Sequence, residues 1–300
     1  MTIAACYISP EGVVLGADST ASINTATDGF HYFNHTQKLF EIGEQSNLGV
    51  VTWGLGGLGT TSYRSLFAEL ADDLSTNPPN DMADVGARWV AKFWGAYTQS
   101  ADLAPLIAKC KQLAAKPAFD ANAVAPDPLA RTKLEENSFL QLNQNLFVGF
   151  CIGGMVLPDR TPSALCIEFD PLSNAPPVAT SLGINTRWFW GAPNIFHRLI
   201  TGADPNFLDS IAHSQFWTGT DQDLVSLVQQ HQFGHPILPI REAIDFVHVC
   251  IYSTIKALKF SNFSQTCGGP IELAVITTDR PFRWVRHKEW DTAIDDGVPL

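Results

Sequence analysis

The sequence predicts an α+β protein built as a four-layer αββα sandwich, in which two antiparallel sheets stack face to face and helices cover both outer surfaces. Successive strand signals are joined by short turns, which is typical of antiparallel pairing. The helical signals come in two blocks that lie between blocks of strands, whereas a doubly wound parallel sheet alternates strands with single helices. The chain has 300 residues, of which 45% are hydrophobic, and this is enough for a large core.

The first fifty residues carry strand signals. Thr2–Ser9 is apolar and partly β-branched, a Pro-Glu-Gly turn follows, and Val13–Ala17 resumes the pattern, so this pair predicts a hairpin. Residues 19–37 are polar and predict a loop or a ragged hairpin arm. Lys38–Ile42 and Leu48–Trp53 alternate on either side of a turn and predict a second hairpin.

Helical spacing begins after a glycine-rich stretch. Apolar residues three and four apart predict two consecutive helices, with Tyr63, Leu66, Phe67, Leu70 and Leu74 on the first and Val85, Trp89, Val90, Phe93 and Trp94 on the second. Residues 100–140 are rich in Ala, Lys and Pro, and predict an excursion on the surface with some helix. Residues 203–235 predict an inserted helical segment.

The second half repeats the order of strands and helices. Strands are predicted at Leu146–Ile152, Ala164–Phe169, Pro177–Leu182 and Arg187–Trp190, helices at Ile195–Ile200 and Ile240–Leu258, and closing strands at Ile271–Thr277 and Arg283–Val285. No linker or change in composition divides the chain. We therefore expect one domain over residues 1–300, with insertions at 100–140 and 203–235.

The charge and the motif content exclude several classes of function. Nineteen basic residues against thirty acidic ones give a net charge of -11, which argues against a nucleic-acid partner. The longest apolar stretch, Leu146–Leu157, is too short to cross a bilayer, and the N-terminus lacks the features of a secretory signal. Neither CxxC nor HExxH occurs. We expect a cytoplasmic protein with no metal, no cofactor and no membrane partner.

The stretch Gly54–Gly59 matches G-x-G-x-x-G between a predicted strand and a predicted helix. A dinucleotide-binding turn needs a parallel strand after that helix, and a second helix is predicted there instead. The glycines are also compatible with a plain tight turn. A third interpretation is that the backbone N–H groups at this junction stabilise an anion or a developing oxyanion.

Thr2 directly follows the initiator methionine, which is commonly removed before a small residue. A chain that begins with Thr2 carries a hydroxyl nucleophile and, in the same residue, an α-amine. The pKa of such an amine is about 8, so it can accept the hydroxyl proton near neutral pH. Thr2 is therefore a candidate nucleophile.

Four segments in the same order resemble a proteasome β-subunit of the N-terminal-nucleophile (Ntn) hydrolase superfamily, of the threonine peptidase type. Thr2–Ser19 is similar to the opening hairpin of that family, and Lys38–Ile42 to its lysine-bearing strand. Leu48–Gly54 resembles the strand whose last glycine forms the oxyanion hole. Cys267–Thr277 resembles the Gly-Gly turn and the strand after it. The resemblance implies the Ntn hydrolase form of the αββα sandwich.

The resemblance also implies roles for individual residues. Thr2 corresponds to the nucleophile that attacks a peptide or other amide bond, which would make the chain a threonine-type endopeptidase or amidohydrolase. Lys38 corresponds to the cation that lowers the pKa of the hydroxyl, and Asp18 to the acid that orients it. Gly54 corresponds to the N–H donor of the oxyanion hole.

Further implied features concern the substrate pocket, the residues that support the site, and the partners. The pocket before the scissile bond would be lined by uncharged positions, which predicts a neutral substrate side chain: Ala21, Thr36, Phe40, Thr52 and Gly56. Ser264 and Cys267 replace supporting residues of the family, and Gly191-Ala192 stands where a serine-bearing turn is common. The family assembles as rings, so we expect a homo-oligomer, with the unfoldase partner unknown. The altered supporting residues leave a catalytically inert proteasome-like scaffold as the alternative.

Overall fold

The computed structural model describes residues 2–24, 30–121, 127–233, 236–262 and 267–288. Its strands are β1 (Ile3–Ser9), β2 (Gly12–Ala17), β3 (Ala21–Asn24), β4 (Phe30–Phe33), β5 (Leu39–Glu41), β6 (Leu48–Gly54), β7 (Val148–Gly154), β8 (Ser163–Phe169), β9 (Thr180–Leu182), β10 (Thr186–Gly191), β11 (Glu272–Thr277) and β12 (Arg280–Arg286). Its helices are α1 (Tyr63–Thr76), α2 (Met82–Gln99), α3 (Ala104–Ala114), α4 (Lys133–Leu146), α5 (Asn194–Thr201), α6 (Pro205–Ala212), α7 (Asp221–His231) and α8 (Ile240–Lys259).

Two five-stranded sheets form the centre of the molecule. The first has the order β10-β1-β2-β11-β12, and the second has the order β5-β6-β7-β8-β9. Every neighbouring pair in both sheets is antiparallel. A separate two-stranded sheet, β3-β4, lies between β2 and β5 in the chain, where the polar residues 19–37 predicted a loop or a ragged hairpin arm.

Three apolar clusters separate four layers. Alternate residues of the two sheets, among them Leu15, Val51 and Ala274, pack face to face between them. The other face of the second sheet packs against α1 and α2. The other face of the first sheet packs against α8. This arrangement confirms the predicted αββα sandwich, because each sheet has one face toward its partner sheet and one toward a helix.

Both predicted insertions contain helices. Residues 100–140 contain α3 and the start of α4, and residues 203–235 contain α6 and α7. Among the described residues, no helix is long and apolar enough to cross a membrane.

Phe150 on β7 is the centre of the cluster beneath α1 and α2. It is fully buried, and five aromatic rings lie within 6.1 Å of its own: Tyr63, Phe67, Trp89, Phe93 and Phe169. Aromatic pairs at these separations add to the free energy gained by burial. Truncation at this position would leave a cavity that five large, close-packed neighbours cannot readily fill.

We therefore predict that Phe150→Ala lowers the free energy of unfolding by about 3–5 kcal/mol, measured by urea denaturation. Phe260 is 79% exposed, and Phe260→Ala is the matched control, with an expected change within about 0.5 kcal/mol. Equal effects of the two substitutions would contradict the assignment of this cluster as the core.

Candidate active site

The Asp18 carboxylate is fully buried at the end of β2 and accepts hydrogen bonds from four donors. Oδ1 accepts from the Lys38 ammonium at 2.6 Å and from the Ile3 N–H at 3.0 Å. Oδ2 accepts from the Gly268 N–H at 2.9 Å and from the Thr20 N–H at 3.3 Å. These donors compensate for the loss of water around a buried charge, and they join four separate parts of the chain at one carboxylate.

Lys38 lies directly before β5, and its side chain is 6% exposed. Besides its ion pair with Asp18, the ammonium donates to the Thr20 carbonyl at 2.5 Å. The backbone is held as well, since the Lys38 carbonyl accepts from the Thr52 N–H at 2.9 Å. The lysine is thus fixed at both its backbone and its charged end.

Thr2 lies directly before β1 and is 6% exposed. Its neighbour Ile3 donates to Asp18 Oδ1 and accepts from the Asp18 N–H at 3.1 Å, so Thr2 is one residue from the carboxylate that binds Lys38. Gly191, at φ +85°, ends β10 beside the Thr2 carbonyl, and a Cβ at this glycine would collide with that carbonyl. The glycine therefore permits the close approach of the two backbones.

Gly54 ends β6 at φ +86° and is exposed. The bonds between β6 and β7 fall on the odd-numbered residues of β6, as the Leu55 N–H donating to the Phe147 carbonyl at 2.8 Å shows. The Gly54 N–H therefore points away from β7, toward the same side as the Thr52 N–H that donates to Lys38. The pairing with β5 ends before this position, so the donor lies at an open end of the sheet.

The following glycines do not belong to a dinucleotide-binding unit. After α1 the chain continues into α2, and the next strand beside β6 is β7, which runs antiparallel to it. A dinucleotide turn requires a parallel strand at this point.

The turn at Gly268 and Gly269 closes the other side of the site. The Ser19 N–H donates to the Gly268 carbonyl at 3.0 Å, and a Cβ at Gly269 would press on the Asn34 carbonyl. Cys267 is buried directly before this turn. Ser264, the other predicted supporting residue, lies outside the described residues. The fully buried Ser19 hydroxyl, which the sequence analysis did not single out, has no hydrogen-bond partner among the described residues.

The five predicted pocket residues lie in different surroundings. Phe40 lines a cavity of about 1170 Å³ between β5, α1 and the end of β12. Thr52 is buried, and its hydroxyl donates to the Gly149 carbonyl at 3.0 Å. Ala21 and Thr36 are half-buried at the base of the β3-β4 hairpin, and Gly56 is exposed beside open space. Their role in binding a substrate side chain stays a prediction.

A second buried ion pair, which the sequence analysis missed, lies near the first. Glu272 is fully buried and pairs across the sheet with Ala17, the residue before Asp18. Its carboxylate lies 3.3 Å from Lys288 Nζ and 2.8 Å from His287 Nδ1. Burial lowers the pKa of Lys288, and repulsion from Lys38 adds to this effect, while Glu272 opposes it. One signal was present in the sequence: Glu272 is the one charged residue of β11, and the four residues after it are apolar.

The described residues contain no group of three or more His, Cys, Asp or Glu side chains placed to hold a metal ion.

Solved structures similar to this chain share its proteasome-like, Ntn-related fold. The helical assembly of the Anbu complex from Pseudomonas aeruginosa is 15% identical, with a TM-score of 0.52, and the alignment covers 98% of this chain and 90% of that one. Anbu, the ancestral beta-subunit, from Yersinia bercovieri is 10% identical with a TM-score of 0.48, over 96% and 88% of the two chains. No protein-family model and no curated protein matches the sequence.

These comparisons correct one prediction. The recognition of the chain as similar to a proteasome β-subunit of the threonine peptidase type is wrong, because the similar solved structures are Anbu proteins. At 15% identity and a TM-score of 0.52, the assembly from Pseudomonas aeruginosa supports the fold alone.

The ion pair at the centre of the site yields a stability prediction. Lys38→Met leaves the buried Asp18 charge without its cation, and we expect the free energy of unfolding to fall by about 3–5 kcal/mol. The control is Lys92→Met, which removes a partly exposed ion pair with Glu69 at 2.9 Å, and we expect a loss of at most about 1 kcal/mol. Urea denaturation of both variants checks this, and a similar small loss in both would contradict the buried pair.

Proposed function

We propose that the protein is an N-terminal threonine hydrolase that cleaves peptide or other amide bonds, with Thr2 as the nucleophile after removal of Met1. The observation that carries the proposal is the Asp18 carboxylate, which binds the Lys38 ammonium at 2.6 Å and the Ile3 N–H, next to Thr2, at 3.0 Å. A buried cation is thereby held close to the start of β1, where a hydroxyl nucleophile needs it.

In the proposed mechanism Thr2 Oγ attacks the amide carbonyl while the free α-amine of the same residue accepts the hydroxyl proton. The Lys38 ammonium favours the alkoxide by electrostatic attraction and lowers the pKa of the hydroxyl. Asp18 keeps this lysine charged and oriented. As the tetrahedral intermediate collapses, the amine gives this proton to the departing amide nitrogen, the C–N bond breaks and an ester on Thr2 remains. Water then hydrolyses the ester, which releases the carboxylic acid and restores the Thr2 hydroxyl.

The proposed oxyanion donor is the Gly54 N–H. Its support is the hydrogen-bond pattern of β6, which directs this N–H away from β7 and beyond Leu39, the first residue of β5. Such a donor stabilises the negative charge that develops on the carbonyl oxygen, and loss of one donor of this kind typically costs about 10²–10³ in rate.

We predict that Thr2→Ala abolishes hydrolysis of a fluorogenic peptide amide and labelling by a peptide epoxyketone, because the hydroxyl nucleophile is lost. Thr2→Ser keeps a hydroxyl, and we expect it to retain part of the hydrolysis and part of the labelling. Lys38→Ala loses labelling, whereas Lys92→Ala, on the outer helix α2, labels like the wild type. Intact mass spectrometry measures the label and also shows whether Met1 is absent.

Circular dichroism confirms that each variant is folded before its activity is compared. Folded wild-type protein that begins at Thr2 and neither reacts with the probe nor hydrolyses any peptide would contradict the proposal. That outcome would favour the inert scaffold, in which the altered supporting residues have removed the activity.

We also propose that the protein self-associates. A similar solved structure is a helical assembly, and this chain exposes large apolar side chains on its inserted helical segment. Three phenylalanines there are more than half exposed: Phe207, Phe216 and Phe233. Exposed apolar side chains concentrated in one segment are typical of an interaction surface.

Sedimentation velocity at micromolar concentration should therefore detect species larger than a monomer. The double substitution Phe207→Ser and Phe216→Ser should shift the distribution toward the monomer, because it removes apolar surface from the interface. Phe260→Ser changes a 79% exposed residue after α8 and is the control, so the distribution of species should stay unchanged. A monomeric wild type over the whole concentration range would refute self-association.

A further inference from the structure

The cavity beside β5 has a cationic end close to the candidate active site. Arg64, on the first turn of α1, donates to the side-chain oxygen of Gln37, the residue before Lys38. Its guanidinium also lies over the Phe40 ring, 5.7 Å from the ring centre. Lys288 lines the same cavity, and it is close enough to both Lys38 and Arg64 for their charges to lower its pKa.

The opposite end of the cavity is acidic. Gly43 follows β5 and packs against Ala71 on α1, so the strand and the helix run side by side away from Arg64. Glu44 and Asp72 line the cavity at this end. Arg64 and Asp72 are eight residues apart on one helix, which at 1.5 Å per residue separates them by about 12 Å along its axis.

Three of the charges that line the cavity, on Arg64, Glu44 and Asp72, form no ion pair among the described residues. Glu272 balances Lys288, but no carboxylate among the described residues forms an ion pair with Arg64. Likewise, within the described part of the chain, no lysine, arginine or histidine forms an ion pair with Glu44 or Asp72. A ligand with complementary charges would satisfy both ends at once.

Resting on the proposed function, we propose that this cavity selects peptides with an acidic side chain near the cleaved amide and a basic side chain three to four residues away. An extended peptide advances about 3.4 Å per residue, so this spacing matches the separation of the two ends. Arg64 selects the acidic side chain of the peptide, and Asp72 together with Glu44 selects the basic side chain. The preference differs from the neutral side chain that the five predicted pocket residues suggested.

Binding to the full-length Thr2→Ala variant tests this without any chemical step. Fluorescence anisotropy compares a labelled peptide that has a lysine and a glutamate four residues apart with peptides in which either or both are glutamine. A second set of peptides carries the lysine and the glutamate in the reverse order along the chain. In the order that binds more tightly, we expect each charged side chain to lower the dissociation constant about fivefold, the upper range for an exposed ion pair.

Two further substitutions in the Thr2→Ala background assign the charges. Arg64→Gln should remove the preference for glutamate alone, and Asp72→Asn should weaken the preference for lysine alone. Lys92→Gln, on α2, should change neither. Equal dissociation constants for the charged and neutral peptides would overturn the inference, as would preferences that persist in both cavity variants.

The two proposals fail in different ways. Thr2-dependent hydrolysis of neutral peptides, together with binding that ignores charge, would reject the cavity assignment alone. Charge-selective binding that depends on Arg64, in a protein whose wild type hydrolyses no peptide, would reject the hydrolase alone and keep the cavity as a peptide-binding site.

Discussion

One buried carboxylate organises this molecule. Asp18 lies at the end of β2 without exposure to solvent, and a charge in that position is stable only when donors replace the lost water. Its four donors come from the start of β1, the residue before the β3-β4 hairpin, the residue before β5 and the turn before β11. The local fold and the candidate chemistry therefore share one requirement, because the bonds that satisfy the acid join Lys38 and Ile3, the residue after Thr2, at one carboxylate.

The sandwich supplies the geometry that this arrangement needs. The two sheets pack through alternating apolar residues, and β2 faces β5. This packing brings the start of β1 and the end of β2 close to the beginning of β5. Gly54 and Gly191 end their strands with positive φ, and both stand where a side chain would collide with a neighbouring carbonyl. Glycine at these two positions lets strands approach one another around the site, and the rest of the core keeps them rigid.

The sequence was informative where a pattern is local or a motif is ordered along the chain. Alternation and helical spacing identified both central sheets and α1, α2 and α8, and the predicted partners Asp18 and Lys38 do form an ion pair. Side-chain contacts between segments that are distant in the sequence were not predictable, because they depend on packing that no local pattern encodes. The contact of Lys288 with Glu272 and the charge separation along α1 are of this kind. The β3-β4 hairpin was uncertain because each of its strands has only four residues, too few for a clear alternation.

The central claim is that a threonine hydroxyl and a buried ammonium lie together at the start of β1. The most direct measurement is an experimental high-resolution structure of the protein whose first residue is Thr2, with the distance read between Thr2 Oγ and Lys38 Nζ. The account predicts about 3 Å, which is hydrogen-bond distance. A separation beyond about 5 Å, with Lys38 still bound to Asp18, would contradict it, since the lysine could not then act on the nucleophile.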